Sequence, residues 1–219
     1  MCVTARPSLL EAAIGNYERQ QIDDLELVVV TNSDEFDEHR TRARLSHVAR
    51  TTLLWTPPDV TLGACLNMAM AQTTARFVAK FDDDDHYGAH YVSDARLAQQ
   101  SLAAAVVGKH SYFAFLAASN RTILRFPGRE FVESRFLAGG TLLVDREAIG
   151  DIRFPDASIG EDGAFLGRCW RSGLAVYATD QFNYLQRRAV HNVWKLPDDE
   201  FARDSLDIGS GERLDLVDV

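Results

Sequence analysis

A short apolar run, Phe77-Val78-Ala79-Lys80-Phe81, leads without a break into four consecutive carboxylates, Asp82-Asp83-Asp84-Asp85. Two unit charges about 4 Å apart repel by roughly 4 kcal/mol at an effective dielectric of about 20. A fold that buries the apolar run as a strand must therefore bring its carboxyl end to the rim of a sheet, where the acids meet water, a proton or a cation. In an extended segment alternate side chains share a face, so Asp82 and Asp84 point one way and Asp83 and Asp85 the other. Residues two apart on a strand are separated by about 6.6 Å, twice the rise per residue. Such a pair can flank a divalent cation and a diphosphate. Magnesium or manganese suits one or two carboxylates completed by phosphate oxygens and water. The plainer alternative is a solvated acidic turn. The place of the run, directly behind a buried-type strand, favours a ligand site, because open α/β sheets bind ligands beyond the carboxyl ends of their strands.

Two other phosphate or metal motifs fail on spacing. A calcium loop starting at Asp82 needs Gly at its sixth place and Glu at its twelfth, where this chain has Tyr87 and Ser93. A P-loop ends in Gly-Lys-Ser/Thr, whereas Gly108-Lys109 is followed by His110 and has Ala103 in place of the upstream glycine.

Elsewhere short apolar runs alternate with helical patterns. Met1 to Ala5, Leu25 to Val30, Thr52 to Trp55, Phe77 to Phe81 and Ala105 to Lys109 read as strands. Helices are expected from a capping box at Ser8-Leu9-Leu10-Glu11 to about Arg19, over Leu62 to Thr74, over Tyr91 to Gln100, and over Glu161 to Ser172 with Gly173 as the stop. Ser111 to Arg125 and Phe131 to Asp145 read as strands with turns, and Ala175 to Ala178 and Phe182 to Leu185 as short strands. The pattern predicts an α/β fold with a mixed, mostly parallel central sheet flanked by helices. The Thr31-Asn32-Ser33-Asp34 turn then shares a sheet edge with the acidic run. Residues 1–195 are expected to form the domain. Residues 196–219, acidic and poor in aromatics, are expected to be a mobile end or a docking segment.

The net charge of −9, from 23 basic and 32 acidic residues, argues against general nucleic-acid binding while leaving room for a local basic pocket. Cys2, Cys65 and Cys169 form no CxxC pair and no disulfide framework, which points to a reducing, cytoplasmic setting, free or peripheral to a membrane. The opening Met1-Cys2-Val3-Thr4-Ala5-Arg6-Pro7 does not read as a signal peptide, and no window approaches the roughly 20 apolar residues of a membrane span.

FVAKFDDDDHY resembles the strand and Asp-x-Asp motif of GT-A fold glycosyltransferases, in particular the inverting family 2 group, and the resemblance spans roughly Val3 to Trp194. Arg6-Pro7 with the helix to Gln20-Gln21 resembles that group's opening. LELVVVTNSD resembles its second strand and nucleotide-contacting turn. Leu62 to Asn67 resembles the helix that carries an Ala-Arg-Asn triplet, with Cys65-Leu66 as a departure. Leu137-Ala138-Gly139-Gly140 resembles the glycine loop, Ile159-Gly160-Glu161-Asp162 the Glu-Asp motif, and His191 the late histidine. Gln186-Arg187-Arg188, with Trp194 well behind, departs from the Gln-x-x-Arg-Trp of processive polymerases.

The resemblance implies transfer of a sugar, with inversion, from a nucleotide-sugar donor, uridine by family habit, to a glycan, lipid-linked or small-molecule hydroxyl acceptor. It implies a divalent metal, Mn2+ or Mg2+, on Asp82, Asp84 and His191. Asp162 would be the base and Glu161 would orient the acceptor or the helix start. Donor contacts would come from Thr4, Arg6, Asn32, Asp34, Asn67, Asp82, Asp83, Gly139, Gly140, Arg187 and Arg188. Plainer roles stand beside these: helix capping for Asp162 and Glu161, salt bridges for the arginines, an ordinary turn for the glycines, a core place for Trp170 and a surface place for His191. His86 competes as a metal ligand. A sugar nucleotidyltransferase would need a Gly-rich opening that this chain lacks. A non-catalytic nucleotide- or sugar-binding module, and the choice between monomer and homo-oligomer, stay open.

Overall fold

A computed structural model describes residues 1–189 and 196–219. Strands β1 (Cys2–Thr4), β2 (Leu27–Thr31) and β3 (Thr51–Trp55) pair in parallel. They are linked by helices α1 (Leu10–Glu18) and α2 (Glu38–Leu45). Parallel strands need crossovers of this kind. β2, Leu-Val-Val-Val-Thr, is buried along its whole length, as a strand covered on both faces requires. Helix α3 (Leu62–Gln72) then leads to β4 (Phe77–Ala79). The first sheet meets β4 through a parallel bridge between Cys2 and Phe81, where the Phe81 N–H donates to the Met1 carbonyl at 2.9 Å.

The chain continues through β5 (His86–Tyr87), α4 (Tyr91–Leu102), β6 (Val106–Gly108), the hairpin β7 (Tyr112–Leu116) and β8 (Arg121–Arg125), and β9 (Val132–Glu133). It ends with β10 (Leu143–Asp145), α5 (Arg146–Ile149), α6 (Glu161–Arg171), β11 (Val176–Ala178), β12 (Tyr184–Arg188), α7 (Asp198–Phe201) and β13 (Ser205–Ser210). A second sheet has the order β4-β10-β6-β11-β9 and a third the order β13-β8-β7-β12-β5. β10 is antiparallel to both its neighbours, while β6–β11 and β7–β12 are parallel, so the architecture is α/β with mixed sheets. The main core lies between the sheet and helices α3 and α6, where Val30, Leu66, Met70, Phe165 and Leu166 are buried. Each such side chain contributes about 1.5–3 kcal/mol by leaving water. The three cysteines are buried and free, and no helix among the described residues is long and apolar enough to cross a membrane.

Three expectations change. The Ser8 capping box does not form: Pro7–Leu9 is a 3-10 turn, and α1 starts at Leu10 with no side-chain cap. Helix α2, not anticipated, hides behind the charges of Glu-His-Arg-Thr-Arg-Ala-Arg-Leu; Asp37 caps it, and Thr41 and Leu45, four apart, turn inward. The segment from residue 196, expected as a mobile end or a docking segment, packs on the fold. β13 pairs antiparallel with β8 through a bulge at Asp207–Gly209, and Phe201 and Val217 are fully buried. Its acids pair with bases of β8 and β12: Asp207 with Arg121, Glu212 with Arg187, and Asp198 with Arg188.

If the segment is part of the folded unit, Phe201→Ala lowers unfolding free energy by about 3–5 kcal/mol, the usual cost of emptying a buried aromatic site. Urea unfolding measures this, and a loss below about 0.5 kcal/mol, the scale of surface changes, would mean the segment is peripheral.

Candidate active site

The acidic run leaves β4 and turns into β5, and its burial alternates as an extended segment demands. Asp83 and Asp85 are buried, while Asp82 and Asp84 are partly open. Asp83 accepts the Thr4 hydroxyl at 2.6 Å and an ion pair from Arg6. Asp85 accepts the Tyr184 hydroxyl at 2.6 Å and the Arg187 N–H at 2.9 Å. Below the turn, Asn16 of α1 donates to the Asp85 carbonyl at 2.8 Å, and the Gln20 amide donates to the Gly88 carbonyl at 2.9 Å. Asp83 and Asp85 thus tie the turn to β1 and β12. Asp84 meets Arg6 at 3.1 Å. Burial raises the Asp84 carboxyl above the ordinary range, with Arg6 opposing, and burial pushes Asp85 up further.

Asp82 faces a cavity of about 630 Å³ at the carboxyl edge of β1 and β4. Its Oδ1 accepts from the Lys80 ammonium at 2.6 Å, and the same ammonium lies 3.4 Å from Asp162 Oδ2. Lys80 is buried. Burial works against its charge, but Asp162 and Asp82 outweigh this and hold its pKa above the ordinary lysine value. Asp162 lies at the start of α6, whose N-cap Gly160 is left-handed (φ +77°) and makes no side-chain cap. The Asp162 carboxylate therefore serves Lys80, and its Oδ1 is buried with no partner. Burial raises its pKa, with Lys80 opposing and Asp82 adding. Beside it Glu161 is pushed from 4.5 to about 7, first by burial and then by Asp162.

Two glycines let these carboxylates approach. A Cβ on Gly139 would collide with the Asp162 carboxylate, and one on Gly140 would sit 2.8 Å from Asp82 Oδ2 and 3.0 Å from the Tyr87 hydroxyl. Tyr87 closes the turn: its hydroxyl accepts from the Asp82 N–H at 2.8 Å and donates to the Gly140 carbonyl at 2.7 Å. The α6 start is positioned by α3. Thr61 donates to Asp156 at 2.5 Å, Leu62 N–H to Ser158 at 3.1 Å, and the Asn67 amide exchanges two hydrogen bonds with Phe154.

The sequence-derived site residues divide accordingly. Arg6, Asn32, Asp82, Asp83, Asp84, Gly139, Glu161, Asp162 and Arg188 line the cavity, and Gly140 abuts Asp82. Thr4 stands behind, on Asp83. Asn67 is engaged with Phe154, Asp34 is exposed outside the cavity lining, and Arg187 faces Glu212. His191 lies outside the described residues. His86 is set aside as a metal ligand, because its Nε2 bonds Asp218 at 2.8 Å away from the cavity lining. Trp170 packs partly buried against the core and donates to the Ser134 carbonyl. Lys80 was missed, and its signal was available: a lysine inside an otherwise apolar strand needs a buried partner.

Among the described residues no group of three or more His, Cys, Asp and Glu is placed to hold a metal ion. Asp82 and Asp84, both on the cavity lining, fit the other arrangement, a hard divalent cation that takes one or two carboxylates and completes its shell with substrate phosphate and water.

The folded Glu161–Asp162 pair keeps a proton that the unfolded chain has lost between about pH 4.5 and 7. Stability therefore falls as pH rises through that window. Glu161→Gln flattens this limb, by about 2 kcal/mol over the window. Denaturation across pH measures the slope, and an unaltered slope would place the proton elsewhere.

No protein-family model matches the chain, and no curated protein does. Solved structures do. S. aureus TarS 1-349 in complex with UDP-GlcNAc superposes with a TM-score of 0.68 at 15% identity, covering 87% of this chain and 58% of that one. The mannosyltransferase PcManGT from Pyrobaculum calidifontis, in complex with GDP-Man and Mn2+, gives a TM-score of 0.66 at 17% identity, covering 88% of this chain and 56% of that one. The chain spans under two thirds of either neighbour's length. At this identity the likeness is one of fold, and the fold is that of the GT-A glycosyltransferases.

Proposed function

We propose that the chain transfers a sugar from a nucleoside-diphosphate sugar, a UDP-sugar in the first instance, to a hydroxyl acceptor with inversion at the sugar carbon. The observation that carries this reading is the Asp162 carboxylate. Lys80 engages its Oδ2, and its Oδ1 is buried without a partner among the described residues, in a residue that lines a cavity on the carboxyl rim of a GT-A sheet. A general base needs an oxygen free to accept a proton and a neighbour that fixes its direction, and Asp162 has both.

Each residue then has a task. Arg6 and Asn32, at the ends of β1 and β2, meet the nucleoside end of the donor. Asp82 and Asp84 hold a divalent cation, with His191 as the candidate third protein ligand. When bound, that cation neutralises the diphosphate and eases its departure. Asp162 takes the proton of the acceptor hydroxyl as its oxygen bonds to the sugar carbon and the bond to the diphosphate oxygen breaks. Attack from the face opposite the leaving group inverts that carbon. Lys80 opposes protonation of Asp162 and aims it, and Glu161 orients the acceptor. The catalytic groups belong to residues 1–195, and residues 196–219 buttress β8 and β12.

A thermal-shift panel of nucleoside diphosphates and nucleotide sugars, each with Mn2+, Mg2+ or a chelator, tests the donor site. A nucleotide at a hundred times its Kd adds about 2.7 kcal/mol, which raises Tm by about 5–10 °C for a chain of this size. UDP or a UDP-sugar with metal is expected to give this shift, and the chelator to remove most of it. No shift from any nucleotide with any metal would refute the proposal.

A further inference from the structure

One wall of the cavity carries a cation that the proposed chemistry does not use. Arg125, at the end of β8, lines the cavity and is 5% exposed. Its guanidinium carbon lies 3.8 Å from the centroid of the Phe201 ring and 4.5 Å from that of Phe126. One nitrogen donates to the Tyr112 hydroxyl at 2.7 Å, and Nε has no partner among the described residues. Among the described residues no carboxylate pairs with Arg125, and residues 190–195 contain neither Asp nor Glu. A buried arginine ordinarily has an anion. Ring stacking satisfies the faces of the guanidinium and leaves its edge, the part that binds oxyanions, to be filled.

The neighbours point the same way. Tyr112 is the cross-strand partner of Arg125. On β12, Gln186 and Arg188, two apart, both line the cavity, while Arg187 between them turns to Glu212. Gln186 Oε1 is buried and unpartnered. Turning that amide over presents two N–H donors in the same place. Arg188, paired with Asp198 at 2.8 Å, lines the same wall. These residues belong to the third sheet, which meets the acidic turn where the Arg187 N–H donates to Asp85, whereas Asp82 and Asp84, the place proposed for the donor diphosphate, follow β4 of the second.

We infer that Arg125, with Gln186 and Arg188 beside it, forms a subsite for an anionic group, a phosphate or carboxylate, carried by the acceptor. The inference rests on the reading of the cavity as a donor and acceptor site. It narrows the acceptor to an anionic hydroxyl compound, which Arg125 holds while its hydroxyl reaches Asp162.

Inorganic phosphate is the probe, titrated at constant ionic strength against a chloride control and followed by 31P line width and thermal shift, with and without saturating UDP. Phosphate is expected to bind wild type equally well in the presence of UDP. Arg125→Gln is expected to weaken phosphate at least tenfold while leaving UDP affinity within about twofold, and Arg125→Lys to fall between. Should Arg125→Gln not fold, Gln186→Leu is expected to weaken phosphate at least threefold. Equal phosphate affinity in wild type and variant overturns the subsite. Displacement of phosphate by UDP, with UDP weakened as much as phosphate in Arg125→Gln, reassigns the arginine to the donor and overturns the acceptor assignment. If wild type binds no UDP yet binds phosphate through Arg125, the anion subsite stands and the donor reading falls.

Discussion

The site depends on one buried ammonium. Lys80 points from the strand that ends in the acidic run, and a buried ammonium is costly unless anions surround it. Its partners, Asp82 and Asp162, come from the turn after β4 and from the start of α6. The ion group therefore fastens the two halves of the chain together at the cavity. It also divides the labour of Asp162, engaging one carboxylate oxygen and leaving the other buried without a partner. Burial raises the pKa of this acid, and the charge of Lys80 opposes that rise. The glycines at 139 and 140 belong to the same constraint, because a side chain at either would intrude on the carboxylates that Lys80 gathers.

The four carboxylates coexist because strand parity sends them to different partners. Asp83 and Asp85 go inward to Thr4, Arg6, Tyr184 and the Arg187 backbone, and so orient the turn. Asp82 and Asp84 remain at the cavity, each beside one cation, Lys80 or Arg6. The charge density that looks untenable in the bare sequence is distributed over two faces.

Much of this was legible in the sequence where local pattern and tertiary setting agree. The buried run of β2, the β4 strand with its acidic end and helices α3, α4 and α6 with Gly173 behind lie close to where periodicity puts them. Parity alone separated Asp82 and Asp84 from Asp83 and Asp85. What was not legible depends on partners distant in sequence. The partners of the acids after residue 196 cannot be read locally, because the bases they meet are on β8 and β12. Asn67 reads as a ligand contact until Phe154 is seen against it. Helix α2 carries too little apolar surface for its period to show.

The central claim is that Asp162 removes the acceptor proton in a sugar transfer. The most direct measurement is turnover of a nucleotide sugar, followed as release of the nucleoside diphosphate, for wild type and Asp162→Asn, with donor affinity measured alongside. Losing a general base costs about 10²–10⁴-fold in rate. The account predicts a loss of that size in the variant with nearly unchanged donor affinity. Equal turnover by the two proteins would contradict it.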